Sequence, residues 1–323
     1  MHPITTKPAI LAAILTVLAL CAAPAMGQND PGDLPGARVL SEEALASDRG
    51  PFTFTIGGGG LAIFEADFQS ADASIATYFA RTGVEMSWKA AKTLQLNFGI
   101  AYEAGFYEID GGKEAFPALD ENDPFDTMQS VAFAGSGMWF FSDPWYAIGA
   151  ATATAGWESG ADFSEAWTFA GFGGVGYRFT DRFTLALGAG VTSRLEDDPL
   201  YYPFISFRWQ ATDDLLLASE GLGIRLTSTI NDHFDVFFRA GYEGRSYRLS
   251  DNRDAEPNAA LLDSGVYIAL GVGWTPIPNF RIGLEGGAVV YRELELRDSS
   301  GHRLTEIDTD IAPFLGLNLR YTF

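Results

Sequence analysis

The stretch that decides the fold is Leu94–Glu103, LQLNFGIAYE, in which every second residue is apolar. Leu94 and Phe98 belong to the apolar set, and Gln95 and Asn97 lie between its members. A β-strand points successive side chains to opposite faces, so the stretch predicts a strand with one apolar face and one polar or small face. The same period of two recurs in Phe183–Val191, Phe234–Tyr242, Phe280–Leu284 and Leu315–Phe323.

The length of these segments separates two all-β architectures. A soluble sandwich buries its apolar faces between two sheets and uses strands of about five or six residues. A transmembrane barrel turns its apolar face toward lipid and uses strands of about nine to eleven residues or more. The segments after Pro51 are of the longer kind. They predict a closed antiparallel transmembrane β-barrel.

The connections between the segments alternate between short turns and longer, acidic loops, as in membrane barrels with short periplasmic turns and longer extracellular loops. The predicted longer loops include Glu196–Pro199 and Ser250–Gly265. The alternation fails between Ala211 and His233, where two short turns follow each other. It is restored if Asp214–Ile230 forms a hairpin that turns at Glu220–Gly223. This arrangement predicts about fourteen strands, and a single irregular strand in its place would reduce the number to twelve.

The amino terminus is typical of an export signal. Lys7 precedes an apolar run that ends at Leu20, and small residues follow as far as Gly27. The run is too short to span a bilayer as a helix, so residues 1–27 are predicted to be a signal peptide. Residues 28–50 are polar and are predicted to be a flexible arm. The barrel would then comprise residues 51–323.

Composition excludes several classes of function. The chain carries 42 Asp and Glu against 21 Lys and Arg, a net charge of −21, which repels nucleic acid. Its 47% hydrophobic and 14% aromatic content is too high for a disordered protein. Its one cysteine, Cys21, excludes a disulfide framework and a multi-cysteine metal cluster. No cofactor and no metal is predicted.

The tryptophans provide an independent test, because the amphipathic indole ring favours the interface between membrane and water. Five lie within a few residues of a predicted short turn, and two bracket one long loop. The sequence therefore predicts two aromatic girdles, formed by Trp88, Trp139, Trp145, Trp157, Trp167, Trp209 and Trp274.

The carboxyl-terminal run LGLNLRYTF resembles the terminal strand of bacterial outer-membrane β-barrel proteins, a porin-like group. The resemblance is carried by the alternating residues Leu315, Leu317, Leu319, Tyr321 and the terminal Phe323. It implies an assembly signal that the barrel-assembly machinery recognises. It also implies a location in the outer membrane of a double-membraned bacterium, with membrane lipid as a partner.

The strand face opposite the apolar one would line the lumen. The candidates on this face are Arg81, Glu85, Glu103, Arg178, Arg208, Arg225, Asp235, Arg239, Glu243, Arg281, Glu285 and Arg320. Two hypotheses remain open. These charges line a water-filled, mainly basic channel that selects ions or solutes, or they pair across the lumen and fill it.

Function follows from these alternatives. We expect a channel for passive passage of ions or small solutes. The second hypothesis is a closed structural or adhesive barrel that acts through its outer loops, whose carboxylates between Glu108 and Asp126 are dense enough to attract divalent cations. The third is a hydrolase that uses His302 with Ser299 or Ser300 and Asp308. Histidine is scarce and the motif is common, so the chain is expected not to be an enzyme.

Overall fold

The computed structural model describes residues 51–253 and 255–323. The predicted signal peptide and arm lie outside the described residues. Within them are fifteen strands: β1 (Phe52–Asp67), β2 (Ser74–Ala91), β3 (Leu94–Asp110), β4 (Met128–Ser142), β5 (Trp145–Glu158), β6 (Trp167–Thr180), β7 (Phe183–Arg194), β8 (Asp197–Gln210), β9 (Leu215–Glu220), β10 (Gly223–Asn231), β11 (Phe234–Arg248), β12 (Ala260–Ile277), β13 (Phe280–Arg297), β14 (Arg303–Asp308) and β15 (Ala312–Thr322).

The strands form one sheet that closes on itself. Each strand from β1 to β13 pairs antiparallel with the next, and β15 pairs with both β13 and β1. Strands β14 and β15 occupy one place in the wall, because both pair with β13 in succession along its length. The protein is therefore a closed fourteen-stranded antiparallel β-barrel. Closure leaves no place in the wall without a neighbouring strand on each side, although β8 pairs with β9 at only three positions.

The predicted hairpin between Asp214 and Ile230 is confirmed. Strand β9 ends at Glu220 and β10 begins at Gly223, so the fourteen-strand arrangement is correct and the twelve-strand alternative is wrong.

Two connections between strands are shorter than predicted. The predicted loop Glu196–Pro199 is a turn of two residues, with Glu196 at a φ of 55°, and β8 already begins at Asp197. The predicted loop Ser250–Gly265 ends earlier, because β12 begins at Ala260.

The two ends of the barrel differ. We call the end with the short connections, such as Asp143–Pro144 and Pro278–Asn279, the turn end, and the opposite end the loop end. Trp88, Trp139, Trp145, Trp209 and Trp274 all lie near the turn end with exposed or half-exposed rings. Trp157 and Trp167 lie at the loop end, where both rings pack on Phe163. Their role as membrane girdles remains a prediction.

The outer surface between these ends is apolar. Exposed side chains alternate along each strand, as in Phe98 and Ile100 on β3 or Leu315 and Leu317 on β15. Residues between them point inward, as expected from the period of two. Among residues 51–253 and 255–323, helical structure is limited to α1 (Gly112–Ala115) and a 3-10 turn at Phe163–Glu165. In the part of the chain described here, no helix is long and apolar enough to cross a membrane.

The barrel is pinched at the loop end. The end of β11 crosses to β5, where Arg248 pairs with Trp157 in a parallel bridge. Gly156 permits this approach, since a Cβ there would collide with the carbonyl oxygen of Ser246. At the loop end, this contact divides the interior into two lobes. We call the one enclosed by β11–β15 and β1–β5 the ion-pair lobe, and the one enclosed by β5–β10 and one side of β11 the aromatic lobe.

Candidate functional site

The twelve predicted lumen residues all fall on the inner face, opposite the exposed apolar set. Most of them are brought together as ion pairs. Arg239 contacts Glu285 at 2.8 Å, and Arg281 contacts Asp235 at 2.5 Å, which are pairs that the sequence could not assign. The hypothesis that these charges pair and fill the lumen therefore describes this structure better than a freely water-filled basic channel. Their role in selecting a solute remains a prediction.

The pairs join into a network in the ion-pair lobe. Glu103 on β3 contacts Arg81 at 3.7 Å and Arg245 on β11 at 2.8 Å. Arg245 in turn contacts Glu243 at 3.4 Å, and Glu243 lies 3.8 Å from Arg239. Because β3 and β11 lie on opposite sides of the lobe, these contacts cross the lumen. Charged groups in a low-dielectric interior persist when they are paired in this way.

A second pair in this lobe is the most deeply buried, and the sequence analysis missed it. Arg292 on β13 donates two hydrogen bonds to Asp263 on β12, at 2.9 and 2.8 Å. Asp263 also accepts from the Tyr107 hydroxyl at 2.8 Å, and Arg292 donates to Thr77 at 2.8 Å. Asp263 had been assigned to a loop, so its position on the inner face was not recognised.

The loop end of the ion-pair lobe is filled by the connection between β3 and β4. We call this connection, Gly111–Thr127, the plug. Phe116, Leu119 and Phe125 of the plug are buried and belong to the same apolar cluster as wall residues of β1, β3 and β11–β15. The ring of Phe116 lies 5.0 Å from that of Phe125 and 6.0 Å from that of Phe68.

The plug begins with a turn that requires glycine. Gly111 has a φ of 78°, and a Cβ there would lie 2.6 Å from the carbonyl oxygen of Asp72. This left-handed conformation turns the chain back toward the lumen directly after β3. The acidic loop after β3 therefore folds inward rather than extending into solvent.

One arginine from another loop holds the plug in place. Arg253, in the connection between β11 and β12, contacts Glu158 and lies 3.1 Å from Glu121 of the plug. It also donates a hydrogen bond to the carbonyl oxygen of Pro124 at 2.6 Å. Glu158 is 1% exposed and accepts from the backbone nitrogens of Asp126 and Ser250, both at 2.8 Å. We call this set of contacts around Arg253 and Glu158 the latch.

The turn end is more open. The side chains of Arg281 and Arg178 are 34% and 39% exposed, although both are paired with aspartates. Gly283 leaves space on the inner face, because a Cβ there would meet its nearest neighbour only at 3.7 Å. The turn end is therefore less tightly packed than the ion-pair network.

The aromatic lobe has a different lining. Its core is an apolar cluster of Met138, Tyr146, Ile148 and Ala186, against which Phe140, Ala150, Phe172 and Phe204 are packed. The rings of Phe172 and Phe204 are 4.7 Å apart. Glycine at 174 makes room for the Phe204 ring, which lies 2.9 Å from the position of a Cβ there.

The remaining candidates are those predicted for a metal site or for a hydrolase. Within residues 51–253 and 255–323, no group of three or more His, Cys, Asp or Glu is arranged to hold a metal ion. The His302 ring contacts Asp298 at 3.2 Å and is 81% exposed. Asp298 also accepts from the backbone nitrogens of His302 and Ser300, which lower the pKa of its carboxyl. His302 thus faces an aspartate rather than a serine hydroxyl.

Comparisons with known proteins give similarities of shape alone. No family model matches the chain, and no curated protein matches it. An outer-membrane channel from Pseudomonas putida is similar with 12% identity and a TM-score of 0.46, over 86% of this chain and 100% of that one. A mutant TodX monoaromatic hydrocarbon channel has 9% identity and a TM-score of 0.47, over 92% and 98% of the two chains. The KdgM porin in complex with disordered oligogalacturonate has 8% identity and a TM-score of 0.35, over 83% and 99%.

Proposed function

We propose that the protein is an integral outer-membrane channel for passive passage of ions or small solutes, closed in this conformation by the plug. The apolar outer surface between two sets of tryptophans supports a membrane location, because a water-soluble barrel would not expose such a belt. The export signal and the terminal strand ending at Phe323 support the outer membrane. Assembly by the barrel-assembly machinery, which that strand would recruit, is part of this proposal.

The observation that carries the channel hypothesis is the latch. The plug is not a continuation of the wall, and Arg253 contributes much of its polar attachment to the neighbouring loops, beside the hydrogen bond from Asp126 to Glu158. A single displaced side chain would therefore weaken the closure without disturbing any strand pair. A barrel with a purely structural role would not need a separate loop that closes its lumen.

Planar-bilayer recording tests this proposal. Arg253→Ala removes the contacts to Glu158, Glu121 and Pro124 together, so we expect discrete conductance steps at a higher frequency than in the wild-type protein. Arg303→Ala is the matched control, because Arg303 is also a loop arginine paired with glutamates, Glu295 and Glu306, but it lies away from the plug. A salt gradient would show from the reversal potential which charges select the ions.

The second candidate is a closed structural or adhesive barrel, and the buried apolar plug favours it. Both proteins must first be shown to be folded by their heat-dependent migration on detergent gels. If wild type and Arg253→Ala are both folded and both silent, the channel hypothesis is wrong and the structural role is supported.

A further inference from the structure

The wall of the barrel has a gap on one side of the aromatic lobe. Strand β8 pairs with β9 at only three positions, from Arg208 to Gln210, although its other edge pairs with β7 as far as Asp197. Strand β10 pairs with β11 only as far as Gly241. Among the described residues, no strand closes the wall between Asp197–Phe207 of β8 and the segment of β11 that follows Gly241. We call this opening the gap.

The gap lies at the level of the apolar belt. Ile205 and Tyr201 on β8 point outward and are 56% and 76% exposed. They pair with Leu187 and Val191 on β7, which also carry exposed apolar side chains. In the membrane orientation, the opening therefore faces the hydrocarbon region rather than water.

The sequence of β8 is adapted to an unpaired edge. The backbone nitrogen of Phe207 donates to the Ser219 hydroxyl on the β9 side, and that of Gln210 donates to Arg182 on the β7 side. The period of two then points the backbone of Pro203 toward the gap. Proline has no N–H group, so it removes a donor that would otherwise face lipid, and it also blocks the addition of another strand.

Ser219 on β9 forms hydrogen bonds with the backbone of β8 where the gap begins. Its hydroxyl accepts from the Phe207 nitrogen at 3.1 Å and lies 3.3 Å from the Phe207 carbonyl oxygen. A side chain thus satisfies both backbone groups that the missing ladder would have served. The edge of β8 is satisfied in this way at Phe207, where its pairing with β9 ends.

The inner side of the gap is lined with aromatic residues. Tyr202 and Phe204 on β8 point inward between the outward residues Tyr201 and Ile205, and both are partly accessible. Phe204 continues through Phe172 into the apolar cluster of the aromatic lobe. Part of the charged network lies in the other lobe, but Glu220 on β9 and Arg225 on β10 form an ion pair at 3.5 Å close to where the gap begins. A molecule at the level of Tyr202 and Phe204 would meet aromatic rings first.

We propose that the gap is a lateral portal through which small apolar molecules pass between the aromatic lobe and the outer half of the bilayer. The proposal rests on the membrane location given under Proposed function and extends it by assigning a class of solute. The aromatic rings favour flat molecules that can stack on them.

Site-directed spin labelling tests the portal. A nitroxide is attached at Phe204→Cys in a Cys21→Ser background, and its collision rates with oxygen and with a water-soluble nickel chelate are compared in lipid vesicles. Ile205→Cys is the control for lipid exposure, and Thr184→Cys is the control for an inward side chain away from the gap. We expect the oxygen-to-nickel ratio at position 204 to approach that at 205 and to exceed that at 184.

Addition of naphthalene to the vesicles should then reduce the mobility of the nitroxide at position 204 and leave that at 184 unchanged. Tyr202→Cys, on the same face, repeats the measurement if Phe204→Cys does not fold. A ratio at 204 or 202 no higher than that at 184, or no response to naphthalene, would overturn the portal. Absence of conductance in Arg253→Ala would refute the ion channel without changing these ratios, so the two failures are distinguishable.

Discussion

The two lobes of the interior are filled in different ways. The ion-pair lobe has a complete wall and is blocked inside, by charges that meet across the lumen and by the plug above them. The aromatic lobe is packed with apolar and aromatic residues, carries the ion pair of Arg225 with Glu220, and has an incomplete wall beside β8. The comparison teaches that the wall is incomplete beside the lobe whose core consists of apolar side chains, because an opening that faces lipid favours an apolar lining.

The largest expected effect comes from breaking the charge balance of the ion-pair lobe. Asp263→Leu leaves the guanidinium of Arg292 buried without its carboxylate, which should destabilise the protein by about 3 to 5 kcal/mol. Urea unfolding in detergent micelles measures the change. Asp263→Leu combined with Arg292→Met should recover most of it, since an apolar pair of similar volume avoids the desolvation cost. Equal stability of the single variant and the wild type would contradict this account of the lobe.

An intermediate effect is expected from separating β5 and β11, which would merge the two lobes. Gly156→Val places side-chain carbons against the Ser246 carbonyl group, and overpacking of this kind costs about 1 to 3 kcal/mol. We expect a lower thermal midpoint of unfolding in detergent. Gly173→Val is the matched control, because a Cβ at Gly173 meets its nearest neighbour only at 3.9 Å. If both variants lower the thermal midpoint by the same amount, the close approach of β5 and β11 at Gly156 does not contribute specifically to stability.

The smallest effect is expected at the turn end. Arg178 pairs with Asp143 at 2.5 Å, but the two side chains are 39% and 78% exposed. Water screens such a pair, so Arg178→Ala should change stability by only about 0 to 1 kcal/mol. The same urea titration provides the measurement. A loss as large as that of Asp263→Leu would show that exposed and buried pairs contribute equally, which would remove the distinction between the interior network and the rim.

The fold was largely predictable because its signal is local. Alternation in Leu94–Glu103 and Leu315–Phe323 gave the strands and their outward faces, and the alternation of connections gave the hairpin after Asp214. The start of β12 was not predictable in this way. Leu261 packs toward the plug and Leu262 toward Leu195, so both faces of the strand are buried and the alternation is absent.

The site was less predictable because its contacts are distant in sequence. Phe116 and Leu119 are scattered among carboxylates, so the plug has the composition of a solvated loop. Arg253 and Glu158 are 95 residues apart, and nothing in either neighbourhood indicates the other. The gap did have a local signal. Pro203 interrupts an otherwise regular strand, and proline within a strand indicates an unpaired edge.

Because the sheet closes through β1 and β15, the positions of the chain termini could be moved to other loops. Thr55 pairs with Thr322, and the backbone nitrogen of Phe323 donates to Phe54 at 2.8 Å. Both ends of the described barrel therefore emerge side by side at the turn end. A short covalent link from Phe323 to Pro51 would make the polypeptide circular without crossing the lumen, and reopening it in any loop would preserve every strand pair. The barrel fold therefore does not depend on which loop contains the chain termini, whereas recognition of a carboxyl-terminal strand does.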